Sequence, residues 1–297
     1  MVGKTMMAAV AAGNSLRSAW RQPFALVPLL MLLIAGAAPM PARAQAINGT
    51  VFEDVNYGGG AGRDSASASG ISRPSARAEL YDAGGVFTAS TTTDASGAYL
   101  FSSLVAGTYF VRVVNGSVSS SRAGFVPGTH LSIQTFRTDA SSGSAVAVTD
   151  YVGGTDPTST DPGNGGPGTV FNTTTFAFTA GLSGTAQSVS RVVLGASDVV
   201  DIDFGFNFNT ILNTSNAGQG SLRQFLTNAN GLSNAGLAIA GQAAGTDVSI
   251  FMISNGAAHP GQRPGLPNQL DGSGTAVVVP STVLPVILGA QTVLDGT

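Results

Sequence analysis

The chain contains no cysteine, which excludes a disulfide framework and any thiolate metal site. Stability has to come from burial and backbone pairing. Charge is scarce as well. Asp, Glu, Lys and Arg make up 10% of the 297 residues, against about 25% in an ordinary soluble domain. Gly, Ser, Thr, Ala and Asn fill the gap. Long helices draw on Leu, Glu, Lys and Arg, so this composition disfavours them. Short strands joined by tight turns suit it better. Tryptophan occurs once, at Trp20, and lysine once, at Lys4.

The few cations are unevenly placed. Residues 1–44 hold Lys4, Arg17, Arg21 and Arg43 and no acid, while the remainder sets nine arginines against sixteen acids, a formal −7. That balance repels nucleic acid and anionic lipid, so nucleic acid is not an expected partner. Within the basic segment, Phe24–Ala38 (FALVPLLMLLIAGAA) is an unbroken apolar run of 15 residues, short of the roughly 20 that a membrane span needs. Ala42-Arg43-Ala44 then fits the small-x-small rule of signal peptidase. Residues 1–44 read as a secretory signal with an extended basic start, cut near Ala44; an uncleaved N-terminal anchor is the alternative. Either way the rest leaves the cytoplasm. No second apolar run of that length occurs, so no membrane span is expected after signal removal.

From Ile47 the period changes to two. INGTVF sets Ile47, Gly49 and Val51 on one face. ARAELYD sets Ala78 and Leu80 on one face and Arg77, Glu79 and Tyr81 on the other. The runs stop at Asp82-Ala83-Gly84-Gly85 and at Asp94-Ala95-Ser96-Gly97, where glycine supplies the positive φ of tight hairpins. Tyr99 and Phe101 share a strand face. Gly107 turns the chain, and Tyr109, Val111 and Val113 share the next face, with Arg112 opposite in solvent. Evenly spaced short strands without a helical period predict an antiparallel β-sandwich with these aromatics inside it. The late run DIDFGFNF alternates Ile202, Phe204, Phe206 and Phe208 with Asp201, Asp203, Gly205 and Asn207, which predicts a central or near-central strand.

The run D-x-x-G-x-Y-x-F-x-x-L-x-x-G-x-Y-x-V is Asp94, Gly97, Tyr99, Phe101, Leu104, Gly107, Tyr109 and Val111 here. With INGTVFEDVN and DIDFGFNF it resembles the SdrD B-like and CNA-B-like repeats of bacterial surface proteins, relatives of carboxypeptidase regulatory-like, prealbumin-type sandwiches. The resemblance covers about 47–114 and 198–208. It implies a stalk or spacer that presents another domain. Some such repeats bind calcium after the first strand, and the matching loop here is DVNYGGGAGRDS, Asp54–Ser65. Its candidate calcium ligands are Asp54, Asn56 and Asp64. The loop departs from a calcium pattern, with Gly58 at position five and Ser65 at position twelve, where a bidentate Glu belongs. An ordinary Gly-rich loop is the other reading, and no other cofactor is expected.

Between about 117 and 197 the resemblance fades, and this stretch reads as a long insertion in a sandwich spanning 45–208. VGGTDPTSTDPGNGGPG is expected to be flexible. HLSIQTF, SAVAVTDYV, TTTFAFTA and SVSRVVLG are strand-like.

After Asn209, Ser221-Leu222-Arg223-Gln224 fits a capping box in which Ser221 accepts from Gln224 N–H and Gln224 reaches back. Leu222, Phe225 and Leu226 form one stripe of a short helix that Gly231 ends. TDVSIFMIS reads as a strand. Asn213, Thr214, Gly218, Gly220, Ser221, Leu222 and Arg223 resemble the N-terminal start of right-handed parallel β-helix surface proteins, where a short helix covers the first coil. Residues 209–297 then hold a capping helix and the first coil or coils of a truncated solenoid. A small β-appendage on the sandwich is the alternative.

Chemistry is sparse. His130 and His259 sit in turn-like contexts, and neither a G-x-S-x-G elbow, H-E-x-x-H nor a P-loop occurs. The expected fold is all-β, a sandwich followed by a partial β-helix or small appendage with one short helix. The expected function is non-enzymatic: an exported cell-surface or secreted structural protein, a spacer presenting an adhesive solenoid. Its partners would be host or surface glycans or proteins, reached through a missing downstream region. The N-terminal part of a secreted carbohydrate-active β-helix enzyme, lyase or hydrolase, is the alternative.

Overall fold

Alternation along each strand produces two facing sheets. The computed structural model describes residues 44–150, 152–257 and 265–296. The expected signal, up to Arg43, and His259 lie outside them. The first part supplies β1 (Gln45–Glu53), β2 (Ile71–Ser72), β3 (Arg77–Tyr81), β4 (Phe87–Thr92), β5 (Ala98–Leu104) and β6 (Gly107–Val113). Then come β7 (Ile133–Asp139), β8 (Val146–Val148), β9 (Val170–Phe171), β10 (Phe178–Ala180), β11 (Ser188–Leu194) and β12 (Phe204–Asn207). One sheet runs β2-β1-β12-β7-β8, with β5 also pairing β1, and the other runs β11-β6-β3-β4.

The core between them is the one that the alternation implies. Ile47, Val51, Tyr99, Phe101, Phe204 and Phe206 meet Leu80, Val111, Val113 and Val192. Leu100, between the two buried aromatics of β5, points to solvent. The Tyr99 hydroxyl keeps a partner inside the core by donating to Ile202 O at 2.5 Å. At the corners, Asp82 Oδ1 accepts from the N–H groups of Gly84 and Val86, and Asp94 Oδ1 from those of Ser96 and Ala98. These are short acidic side chains closing their own turns. Gly49 sits where the chain at Ile202 crosses β1: a Cβ there would lie 1.9 Å from Ile202 O. Only a residue without a side chain admits that approach.

Several expectations change in detail. The late strand β12 is central, between β1 and β7, but it pairs with β1 in parallel, so the sheet is mixed. The stretch expected as an insertion is woven into the fold: β7 and β8 extend one sheet and β11 edges the other. The first part of the Gly-rich segment expected to be flexible is packed, with Val152 to Pro157 all buried. Gly153 N donates to Gln134 O and Thr155 N to Gln187 O, which satisfies backbone groups that burial would otherwise orphan. Gly107 opens β6 with an ordinary φ; the left-handed residue in that corner is Ser103, at φ 60°.

The remaining elements are β13 (Thr210–Ile211), α1 (Leu222–Gly231), β14 (Asp247–Val248), β15 (Ile250–Phe251) and β16 (Thr292–Val293). β13 pairs in parallel with β15, Thr210 opposite Ile250, and β14 with β16, Asp247 opposite Thr292. Ser221 caps α1 by accepting from Gln224 N at 3.1 Å. The reciprocal arm of the capping box is not made: Ser221 N donates to Gly218 O, and Gln224 Nε2 donates to Thr129 O and Asn228 Oδ1. Phe225 and Leu226 are buried against Ile211 and Ala229, with Leu222 beside them. Arg43–Thr297 form one compact unit, and among the described residues no helix is long and apolar enough to cross a membrane.

Candidate functional site

The face of β3 and β6 that alternation assigns to solvent is buried. Tyr81, Phe110 and Val189 of that face lie under Phe171, Phe176 and Phe178 and form a second apolar cluster. The Tyr81 and Phe171 rings stand 4.5 Å apart between centroids. An outward residue can be polar only if its cover supplies partners, and here the cover does. Arg112, expected in solvent, is 0% exposed. Its Nη1 donates to Glu79 Oε2 at 2.8 Å and its Nη2 to Asp161 Oδ2 at 2.9 Å. Nη2 also reaches Pro162 O, and the guanidinium lies 5.2 Å from the Phe178 ring centre.

The two carboxylates are held from several sides. Glu79 also accepts from Arg77 Nε, the Tyr81 hydroxyl and Gly165 N, each at 2.7 Å. Burial works to raise its pKa, but Arg112 and these donors hold it below the ordinary range. Asp161 accepts from Gln187 N and Asn115 N, while burial pushes its pKa up against the pull of Arg112. Gly165 is required where the covering chain crosses the cluster: a Cβ there would lie 2.5 Å from the Tyr81 hydroxyl.

A second buried arginine joins the C-terminal segment to the sandwich. Arg122 Nη2 donates to Asp247 Oδ2 at 2.5 Å. Nη1 donates to Asn209 Oδ1 and Nε to Ser233 O. Side-chain amides tie the segment that carries Asp161 to the loop before α1. Gln219 Oε1 accepts from Asp161 N, its Nε2 donates to Ser132 O, and Asn213 Nδ2 donates to Pro157 O. Neither Arg122, Asp161 nor Gln219 is singled out by the sequence, and no local pattern marks them, because each partner is distant in the chain. The spacing of Asn213 in the motif before α1 is the one available signal.

Each candidate calcium ligand has a different protein partner. Asp54 is buried and receives both Nε and Nη2 of Arg63. Burial raises its pKa, and Arg63 opposes the rise. Asn56 Oδ1 accepts from Ala238 N at 2.7 Å. Asp64 closes its own turn on Ser67, accepting from its N–H at 2.9 Å and its hydroxyl at 2.8 Å. A calcium shell takes six to eight oxygens, of which these three residues would supply a part. Among the described residues no group of three His, Cys, Asp or Glu is placed to hold a metal. His130 is buried, and its Nδ1 accepts from Val126 N. Burial and Arg122 hold its pKa below the usual value.

Residues 45–160 match the SdrD B-like domain family. Domains of this type are structural parts of bacterial surface proteins. Among solved structures the chain is similar to "The Bacillus anthracis TIE protein", at 11% identity and a TM-score of 0.19. The likeness covers 55% of this chain and 34% of that one, about a third of that protein's length. No curated protein matches the chain.

Proposed function

We propose that the protein is exported to the bacterial surface, where the sandwich serves as a spacer carrying an adhesive β-solenoid. In this reading 1–44 are the secretory address, 45–208 the spacer, and 209–297 the capping helix and base of the solenoid. The observation that carries it is the SdrD B-like match over 45–160, on a sandwich whose Tyr99 and Phe101 are spent on packing. Arg122 supports it, because its buried bonds tie the spacer to the segment after Asn209 without a free linker. The solenoid portion draws support from two parallel pairings, each between residues roughly 40 apart in the chain, the spacing of stacked coils. It draws support too from Val279, Val283 and Leu288, of which Val283 is 92% exposed; stacked coils bury such a face. Surface glycans and proteins are the partner class this reading implies.

Export is tested by expressing the full chain in a bacterial host and fractionating the cells. The expected product lies outside the cytoplasm and begins near Gln45. It has no tryptophan emission, since Trp20 is the only tryptophan. A cytoplasmic product with Trp20 intact overturns the reading. Incubation with polysaccharides is expected to release no new ends; release would replace the spacer with a carbohydrate-active enzyme.

A further inference from the structure

On one side of the sandwich the edge strands are β8 and β11, and the chain joins the two sheets there at Ala140 and Val192. A groove of about 800 Å³ lies there, within the range of small-molecule sites. Arg137 of β7 lines it. Arg137 stands opposite Phe204 of β12, and directly opposed residues share a sheet face. The arginine therefore enters the space between the sheets, as Phe204 does. It is 5% exposed, yet among the described residues its side chain makes no hydrogen bond and no ion pair.

The other buried arginines differ. Arg73 faces Glu53, Arg112 faces Glu79 and Asp161, and Arg122 faces Asp247, all within ion-pair distance. Asp139 and Asp150 attract Arg137 from farther away, and Asp139 Oδ1 already accepts from Ser141 N. Burying a guanidinium without a partner is unfavourable. Its planar donor fork matches a carboxylate.

The groove walls indicate what carries that carboxylate. Ser142, Thr149 and Thr174 bring hydroxyls, and Asp139 and Asp150 bring acceptors. Arg191 is a second cation on the β11 side, and Phe176 is an aromatic wall. Phe176 is held at φ 56°, a left-handed conformation that costs energy for an aromatic residue. Val146, Val148 and Val189 add an apolar wall, on which the nonpolar face of a sugar ring can pack. The rim aspartates accept from sugar hydroxyls, and they oppose the several charges of an acidic peptide more than the single carboxylate that Arg137 offsets.

We propose that this groove binds an acidic sugar, with its carboxylate on Arg137 and its hydroxyls on the serine, threonine and aspartate side chains of the rim. The site does not depend on the spacer reading. The test uses the mature chain and three probes in titration calorimetry: a glucuronate-ended disaccharide, its neutral glucose-ended counterpart and an acidic hexapeptide. The acidic disaccharide is expected to saturate one site, with the neutral one about tenfold weaker or worse. Arg137→Met keeps the length of the side chain and removes an unpartnered buried charge. It should melt at or above the parent temperature while losing about tenfold or more in affinity. Absence of saturable binding to the acidic disaccharide overturns the proposal. So does unchanged binding by the variant, equal binding of the neutral sugar, or tighter binding of the hexapeptide.

Discussion

Arg112 Nη2 meets Asp161 Oδ2 at 2.9 Å with both side chains out of solvent. The contact joins β6, in the middle of a sheet, to the segment that covers that sheet. Asp161 in turn donates its N–H to Gln219, so the same residue touches both the covered outer face of the sheet and the loop before α1. Residues that local pattern assigns to three regions are fastened at one point.

Removing one member of this cluster should cost far more than a surface ion pair does. Breaking a buried pair from one side leaves a charge uncompensated, at about 3–5 kcal/mol. Arg112→Met strands two carboxylates, Glu79 and Asp161, and belongs at the upper end. Adding Glu79→Gln and Asp161→Asn to it should restore part of the loss, since neutral partners no longer need the guanidinium. Urea midpoints measure both. A triple variant less stable than Arg112→Met would contradict the pairing argument.

Arg122→Met tests the other junction. Arg122 bonds Asp247, Asn209 and Asn234 together with the carbonyls of Leu232 and Ser233. Its loss should loosen the segment after Asn209 before it affects the sandwich, because the Tyr99–Phe101 core shares no residue with it. Limited proteolysis is expected to cut the variant first beyond Asn209 and to leave a resistant fragment ending near there. Cleavage beginning inside β1–β6 would show that the arginine holds the sandwich instead.

Two glycines of similar sequence context should behave in opposite ways. Gly49→Ala drives a methyl against Ile202 O at 1.9 Å, a backbone atom that cannot swing away. Overpacking of this kind costs about 1–3 kcal/mol or more. At Gly107, by contrast, a Cβ meets its nearest neighbour, Tyr109 Cε2, at 3.7 Å, and φ is not left-handed. Gly107→Ala should change the melting temperature little or raise it, through reduced freedom of the unfolded chain. Equal losses at both sites would mean that contact with Ile202 is not what Gly49 serves.

The sequence makes the sandwich core legible because burial there has a period of two: Tyr99, Phe101, Phe204 and Phe206 are placed by alternation alone. It conceals the opposite face for a physical reason. Arg77, Glu79, Tyr81 and Arg112 alternate as a solvent face would, and only the cover provided by Phe171, Phe176 and Phe178 inverts their environment. No rule of period or turn chemistry reports a cover that arrives some 50 to 90 residues later. The parallel pairing of β1 with β12 is hidden likewise, since alternation has no direction. At α1 the cap is readable because it is local. The fate of the second arm is not, because Gly218 O takes the Ser221 N–H and Gln224 turns its amide toward Thr129 O.

The acid limb of stability offers a check on the turn chemistry. Asp94 is held below the ordinary carboxylate pKa by the Ser96 hydroxyl and the N–H groups of Ala98 and Ser96. Asp271 is lowered in the same way by Ser273 and Thr275. A folded pKa below the unfolded one, near 3.9, means that the unfolded chain binds more protons across the window between them. Stability then rises with pH there: the contribution is complete above the unfolded value and disappears as pH falls through the folded one. Asp94→Asn keeps an Oδ1 acceptor but not the charge. It should be the less stable protein above about pH 5 and converge on the parent toward about pH 2. Melting temperatures across that range are the measurement. A gap between the two proteins that stays constant to the acid end would remove the charge of Asp94 from the account of this turn.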